Sequence, residues 1–264
     1  MDTIYINQLH KTKFKISSND EQLIKYLRTK YSAQTVPIPG YDYKCIVVEQ
    51  NCGSTNLLYD NKKYITQNPL VDICNLMYAE KEFDVNIFAV HGAAVEYNKQ
   101  AYIFLAQTYA GKSTLTAFLA LNGLSYITDD CVLINNKTLK IVPDFTPISL
   151  REGGRQVLSD IGYPTHEFDV LEYPPLTEYA YTPQKITGKP IGIGGIFFIK
   201  RSDQNSLASM SCSERMLLLL KSPITNYTLN KEYIQFIKEL SSFPCYKLCY
   251  SDMEYVLEII TNGK

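Results

Sequence analysis

The sequence predicts an α/β fold, with a small N-terminal α/β subdomain (residues 1–85) ahead of a larger α/β domain (residues 86–264). Three observations carry this reading. Residues 101–121 run in the order apolar strand, Gly-containing loop, helix; short apolar runs recur between turn signals; and helical periodicity closes the chain. A length of 264 residues supports a substantial core. With 45% hydrophobic and 20% charged residues, the composition excludes global disorder. Lys+Arg 26 against Asp+Glu 27 gives a net charge of -1, so no whole-protein field attracts nucleic acid or an anionic membrane. Any anion site must be local.

In the first part, Ile4–Ile6 and Phe14–Ile16 read as strands. Ser18-Asn19-Asp20-Glu21 reads as a capping box, with Ser18 as the cap of a helix over Glu21–Thr29. After the Pro37–Gly40 turn, Lys44–Glu49 is a strand, Leu57–Tyr59 and Tyr64–Thr66 form a hairpin around Asp60-Asn61, and Asn68-Pro69 opens a second helix. In the second part, Asn86–Val95 and Ala101–Leu105 are strands joined at Asn98-Lys99, and Ser113–Leu121 is a helix. Ser125–Thr128 is a strand ending at Asp129-Asp130. Cys131–Asn135 and Thr138–Val142 form a further hairpin. Proline-rich stretches at Pro143–Pro147 and Pro174–Pro183 flank a weak helix over Gly153–Ile161. Gly192–Ile199 reads as a buried strand, and Ser213–Leu220, Lys231–Leu240 and Met253–Ile260 as helices.

The seven cysteines are scattered, with no Cys-x-x-Cys pair and no histidine at ligand spacing, which argues against a zinc site. The start Met1-Asp2-Thr3-Ile4 has neither the basic region nor the apolar stretch of a signal peptide, and no apolar run is long enough to span a bilayer. A cytoplasmic protein is expected.

Chemistry concentrates between residues 91 and 130. Ala106-Gln107-Thr108-Tyr109-Ala110-Gly111-Lys112-Ser113 fits the phosphate-binding pattern G-x-x-x-x-G-K-[ST] at every position but the first, where Ala106 replaces glycine. Such a loop works through successive backbone N–H groups that converge on phosphate at a helix N-terminus. Gly111 permits close approach, Lys112 neutralises phosphate oxygens, Ser113 ligates Mg²⁺, and the amides around Ala106, Tyr109, Ala110 and Thr114 complete the cradle. The plainer alternative is a chance Gly-Lys-Ser before an ordinary helix, and the preceding strand argues against it. Asp129-Asp130 is either a solvated strand end or, beside a phosphate loop, a source of a metal ligand and a base. His91-Gly92 ends a strand expected to pair with the one feeding the loop, where a histidine is a core residue or a catalytic one.

His91-Gly92, the loop ending Gly111-Lys112-Ser113, and the strand ending Asp129-Asp130 together resemble the kinase domain of the bacterial HPr kinase/phosphorylase family. The intervals are similar too, and the likeness is strongest over residues 86–150. Pro147-Ile148-Ser149-Leu150-Arg151 and Ile191–Lys200 resemble the HPr-kinase-related group found beside peptide-modifying enzymes. The resemblance implies a P-loop kinase fold of the HPr kinase and phosphoenolpyruvate carboxykinase type, with ATP and Mg²⁺ as cofactors. It further implies a seryl hydroxyl on a peptide or protein as acceptor.

By the same resemblance, Lys112 serves phosphate and catalysis, Ser113 and Asp130 hold the metal, and Asp129, Asp130 and His91 form the catalytic group. Which aspartate acts as base is left open. Arg151 is a candidate for holding phosphate or acceptor, or an ordinary helix-start arginine. The family's glycine-rich phosphorolysis signature is reduced to Ile191-Gly192-Ile193-Gly194-Gly195-Ile196, which reads better as a packing loop or bulge, so phosphorylase activity is not expected. The expected acceptor is a ribosomally made precursor peptide of the lasso type. HPr, a small hydroxyl compound, or a nucleotide-binding switch without transfer stay open, and so does homo-oligomer formation. Neither nucleic acid nor membrane is an expected partner.

Overall fold

The computed structural model describes residues 1–7, 12–51, 54–82, 86–107, 110–222 and 230–263, with only the backbone of 78–82. The N-terminal region contains β1 (Asp2–Ile6), β2 (Phe14–Ser18), α1 (Glu21–Lys30), β3 (Lys44–Asn51), β4 (Ser54–Tyr59), β5 (Lys62–Thr66) and α2 (Pro69–Glu82). Its five strands form one sheet in sequence order, with β2 and β3 parallel and the other pairs antiparallel. Alternation along the strands puts Ile4, Ile6, Phe14, Ile16, Ile46 and Val48 in a core with Leu23, Ile24 and Leu27 of α1. Asp60 and Asn61 both adopt positive φ, as a two-residue hairpin turn requires.

The cap of α1 differs from the sequence expectation. Asp20, not Ser18, is the N-cap, and its side chain accepts from the Leu23 N–H at 3.0 Å. Ser18 is the last residue of β2, held extended by its pairing with Val48, and its hydroxyl accepts from the Asp20 N–H. The carboxylate two residues closer to the helix gains the favourable partial charge at the N-terminus.

The larger region contains β6 (Ile87–Tyr97), β7 (Gln100–Leu105), α3 (Lys112–Leu121), β8 (Ser125–Thr128), β9 (Cys131–Asn135), β10 (Lys140–Val142), β11 (Ile148–Leu150) and α4 (Glu152–Asp160). There follow β12 (Asp169–Tyr173), β13 (Leu176–Tyr181), β14 (Ile191–Arg201), β15 (Ser206–Ser209), α5 (Cys212–Leu219), α6 (Lys231–Leu240), β16 (Cys245–Tyr250) and α7 (Met253–Asn262). The main sheet has the order β10-β9-β6-β7-β14-β16-β15, with β8 also on β6. Strands β7, β14 and β16 run parallel, and β6 is antiparallel to β7. One face carries Phe104, Phe197 and Leu248 against α3 and α7; the other carries Ile103, Leu105 and Ile196 against α6. The result is a mixed α/β, helix–sheet–helix arrangement. Among the described residues no helix is long and apolar enough to cross a membrane.

Three expectations are revised here. The proline-rich stretch Pro174–Pro183 contains a strand and the turn before it: Pro174 and Pro175 form the turn between β12 and β13, and the alternating Leu176–Tyr181 segment pairs on both sides, in the order β11-β13-β12. The glycines at 192, 194 and 195 lie within β14, as the strand reading of Gly192–Ile199 has it and not in a loop before it, and the register shift against β7 between Ile193 and Gly195 agrees with the bulge alternative. A Cβ at Gly194 would sit 2.9 Å from Gln100 Cβ, which explains that glycine by close packing. The strand expected at Thr138–Val142 covers only Lys140–Val142, because Leu139 takes positive φ in the turn.

Candidate functional site

Strand β6 organises the site because it pairs with β7 on one side and with β8 and β9 on the other. His91 and Gly92 lie inside β6 rather than at the end of a strand as expected: Gly92 is opposite Leu105, the last residue of β7, and His91 is opposite Cys131, the first of β9. The Asp129-Asp130 step between β8 and β9 is therefore brought to the end of β7 where the phosphate-type loop begins. The Gly92 N–H donates to the Asp130 carbonyl at 3.3 Å. Gly92 has no room for a side chain, since a Cβ would meet Leu105 Cδ2 at 2.6 Å and the Phe104 carbonyl oxygen at 2.9 Å.

The loop turns into α3 at Gly111, which has φ of 87° and supplies no side-chain cap. The Ala110 N–H donates to the Gln107 carbonyl. Tyr109, expected in the cradle, lies outside the described residues. Lys112 is buried, at 7% exposure, and its Nζ is 3.1 Å from the Ala106 carbonyl oxygen, 3.4 Å from that of Gln107 and 3.1 Å from His91 Nε2. An ammonium can only donate, so the imidazole accepts at Nε2 and is neutral. Burial, then the neighbouring Lys112 charge, lowers the His91 pKa and holds it in that form. Burial likewise lowers the Lys112 pKa, opposed by Asp130 and Asp129.

The two aspartates occupy unlike places. Asp129 is 2% exposed, and among the described residues neither carboxylate oxygen has a partner of hydrogen-bonding geometry. Burial first, and the adjacent Asp130 second, raise its pKa well above the carboxylate range. Ser113 lies near enough to pull the other way, as do Lys30 and Lys112. Asp130 instead faces a cleft of about 550 Å³, together with His91, Lys112, Ser113, Thr114, Arg151 and Glu178. Gly154 at the start of α4 lets that helix abut α3, because a Cβ there would meet Thr114 Oγ1 at 2.6 Å. A second cleft of about 880 Å³, lined by Phe198, Lys200, Lys221 and Lys247, shares His91 and Ala106 with the surroundings of the loop.

The sequence-expected residues His91, Gly111, Lys112, Ser113, Thr114, Asp130 and Arg151 therefore surround one cleft, with Asp129 buried behind it and Ala106 at the neighbouring one. The sequence reading missed Glu178, which lies in the stretch read as proline-rich and carries no local motif. It also missed Lys30 and Tyr26 of α1, which bond to Glu178. Arg151 and the Gly153-Gly154 pair at the start of α4 were the sequence signals near that wall.

No family model and no curated protein matches the chain. Among solved structures, it is similar to the HPr(Ser) kinase/phosphatase from Coxiella burnetii, with 9% sequence identity and a TM-score of 0.34. The match covers 66% of this chain and 95% of that one. Likeness of that size leaves the functional reading to the site itself.

The orphaned oxygens of Asp129 beside the Ser113 hydroxyl are a hard-oxygen donor set that suits Mg²⁺. A divalent cation there would also remove the cost of ionising Asp129 in its buried position.

Proposed function

We propose that this chain is an ATP-dependent, Mg²⁺-requiring kinase that transfers the γ-phosphoryl group to a serine hydroxyl of a peptide or protein. The observation that carries this reading is the meeting of the Lys112 ammonium, the neutral His91 ring and the Asp129-Asp130 step at the uncapped start of α3. An anion is favoured by the N–H groups and partial charge of α3 and by Lys112. Asp130, exposed to the cleft, orients the attacking hydroxyl and accepts its proton. Ser113 and Asp129 would hold Mg²⁺, which when bound neutralises charge on the phosphates. The sequence favoured Asp130 as the metal partner; the burial of Asp129 near Ser113 makes Asp129 the stronger candidate. His91 accepts from Lys112 and so keeps that ammonium aimed at the mouth of the loop.

Two clefts that meet at His91 suit a two-substrate reaction, with the nucleotide in the cleft at Ser113 and Thr114 and the acceptor entering from the other. The acceptor in this reading is a ribosomally made precursor peptide of the lasso type. It rests on the resemblance of Pro147–Arg151 and Ile191–Lys200 to kinases found beside peptide-modifying enzymes. Incubation of the purified chain with ATP, Mg²⁺ and peptides encoded beside its gene, read by intact mass, tests it. A gain of about 80 Da on a peptide serine, absent with Lys112→Ala, is the expected result. Gain on HPr or a small hydroxyl compound instead would replace the acceptor, and nucleotide binding with no gain on any acceptor would replace transfer by a switch.

A further inference from the structure

The cleft wall opposite the phosphate loop contains a carboxylate that the transfer chemistry does not use. Glu178 lies on β13, paired with Leu171 of β12. Leu171 and Ala180 belong to the same core as Leu23, Ile24 and Leu27 of α1, so this face of the three-stranded sheet is docked on the N-terminal helix. Polar contacts follow the same seam. The Tyr26 hydroxyl donates to Glu178 Oε2 at 2.5 Å, and Lys30 Nζ lies 3.0 Å from the same oxygen. The Lys30 and Glu178 side chains are only 15% and 12% exposed. Farther along, the Tyr173 hydroxyl donates to Asp20 Oδ2 at 3.1 Å.

This arrangement fixes the charge of Glu178 and which of its two oxygens is already taken. Burial pushes its carboxyl upward, but Lys30, the Tyr26 hydroxyl and Arg151 more than offset that and leave it below the usual range. Burial pulls the Lys30 ammonium down, and Glu178, Tyr26 and Cys74 more than offset that in turn. Both bonds fall on Oε2, and Oε1 has no hydrogen-bond partner among the described residues. An ionised carboxylate on the wall of an anion cleft repels phosphate. With the Lys30 charge against it and that of Arg151 nearby, it gains little from a third cation. What it lacks is a neutral donor, and hydroxyls are what a nucleotide carries beyond its phosphates.

We propose that α1 of the N-terminal region is a working part of the cleft: Tyr26 and Lys30 position Glu178 so that its Oε1 accepts a hydrogen bond from a ribose hydroxyl of the bound nucleotide. The proposal rests on the kinase reading for its nucleotide. Glu178 is then a binding residue, and Tyr26 and Lys30 are positioning residues that act through it.

Calorimetric titration of the full chain and its Glu178→Gln and Tyr26→Phe variants with ATP, 2′-deoxyATP and 3′-deoxyATP tests it without turnover. Glu178→Gln should weaken ATP by about tenfold, the size of one hydrogen bond to a charged group. One of the two deoxynucleotides should lose nothing further on that substitution, because the hydroxyl that Glu178 serves is already gone. Tyr26→Phe should weaken ATP by about threefold with the same nucleotide selectivity, a pattern that general loosening of the wall does not produce. Equal losses for all three nucleotides, or no loss at all, would overturn the ribose assignment while leaving the kinase reading intact. Failure of the parent chain to bind any nucleotide would overturn both.

Discussion

The wall of the cleft formed by the phosphate-type loop draws on residues close in sequence, whereas the facing wall draws on segments far apart in the chain. Lys112 and His91 are 21 positions apart, joined through two strands of one sheet. Tyr26 and Glu178 are 152 apart and meet only because the β11-β13-β12 sheet docks on α1. The difference separates what a motif can encode from what only tertiary packing can assemble. A loop that presents backbone N–H groups needs a glycine, a helix and a strand in order, so it leaves a linear signature. A carboxylate held between a tyrosine and a lysine of another element leaves none.

The sharpest test of the loop side is Lys112→Ala. It removes the ammonium held by the Ala106 and Gln107 carbonyls and His91, and phosphoryl transfer should fall on the order of 10³-fold, as loss of a preorganised charge donor does. Intact-mass time courses with saturating ATP measure it; a rate within threefold of the parent would remove this lysine from the chemistry. Asp130→Asn should cost about 10²-fold in the same assay with nucleotide affinity retained, because the side chain lies on the cleft rather than under the loop. Equal loss from binding and from transfer would instead place Asp130 on the metal.

How far the sequence reached follows the same division. The turn at Asn98-Lys99, with positive φ at both residues, and the helix after Gly111 are local events and were readable. The strand pair around Pro174-Pro175 was not, because prolines in a two-residue turn look the same as prolines in a loop until partners are known. The unlike burial of Asp129 and Asp130 was also out of reach. Alternation along a strand says that neighbours face opposite ways, not which face is dry.

Gly92 sharpens the comparison from the side of folding. Gly92→Val would place new atoms against Leu105 and the Phe104 backbone, with room for neither, and should destabilise the chain by about 2 kcal/mol through overpacking. A fall in Tm of roughly 5 °C is expected, and an unchanged Tm would show that β6 and β7 can separate at this point.

Asp129 supplies a pH test. Unfolded, its carboxyl titrates near about 4; folded, burial and Asp130 hold it well above that. Between those two values the folded chain carries a proton that the unfolded chain has released, so this residue makes stability fall as pH rises through the window. Asp129→Asn cannot ionise and should lose that fall. In urea titrations without Mg²⁺, the variant should gain on the parent as pH rises above about 4, while losing Mg²⁺-dependent transfer. Parallel stability profiles for the two proteins would mean that Asp129 is ionised in the folded chain.

The smallest expected effect probes the seam behind the facing wall. Asp20 Oδ2 accepts from Gln50 Nε2 as well as from the Tyr173 hydroxyl, and Oδ1 caps α1 at Leu23. Tyr173→Phe therefore leaves no carboxylate oxygen unpartnered and should cost about 1 kcal/mol, the net worth of one hydrogen bond. Nucleotide affinity should not change, because Tyr173 reaches α1 without touching Glu178 through a hydrogen bond. Loss of affinity in step with loss of stability would mean that the whole sheet must be seated for the cleft to bind. Loss of stability alone would leave Tyr26 and Lys30 as the contacts through which α1 acts on the site.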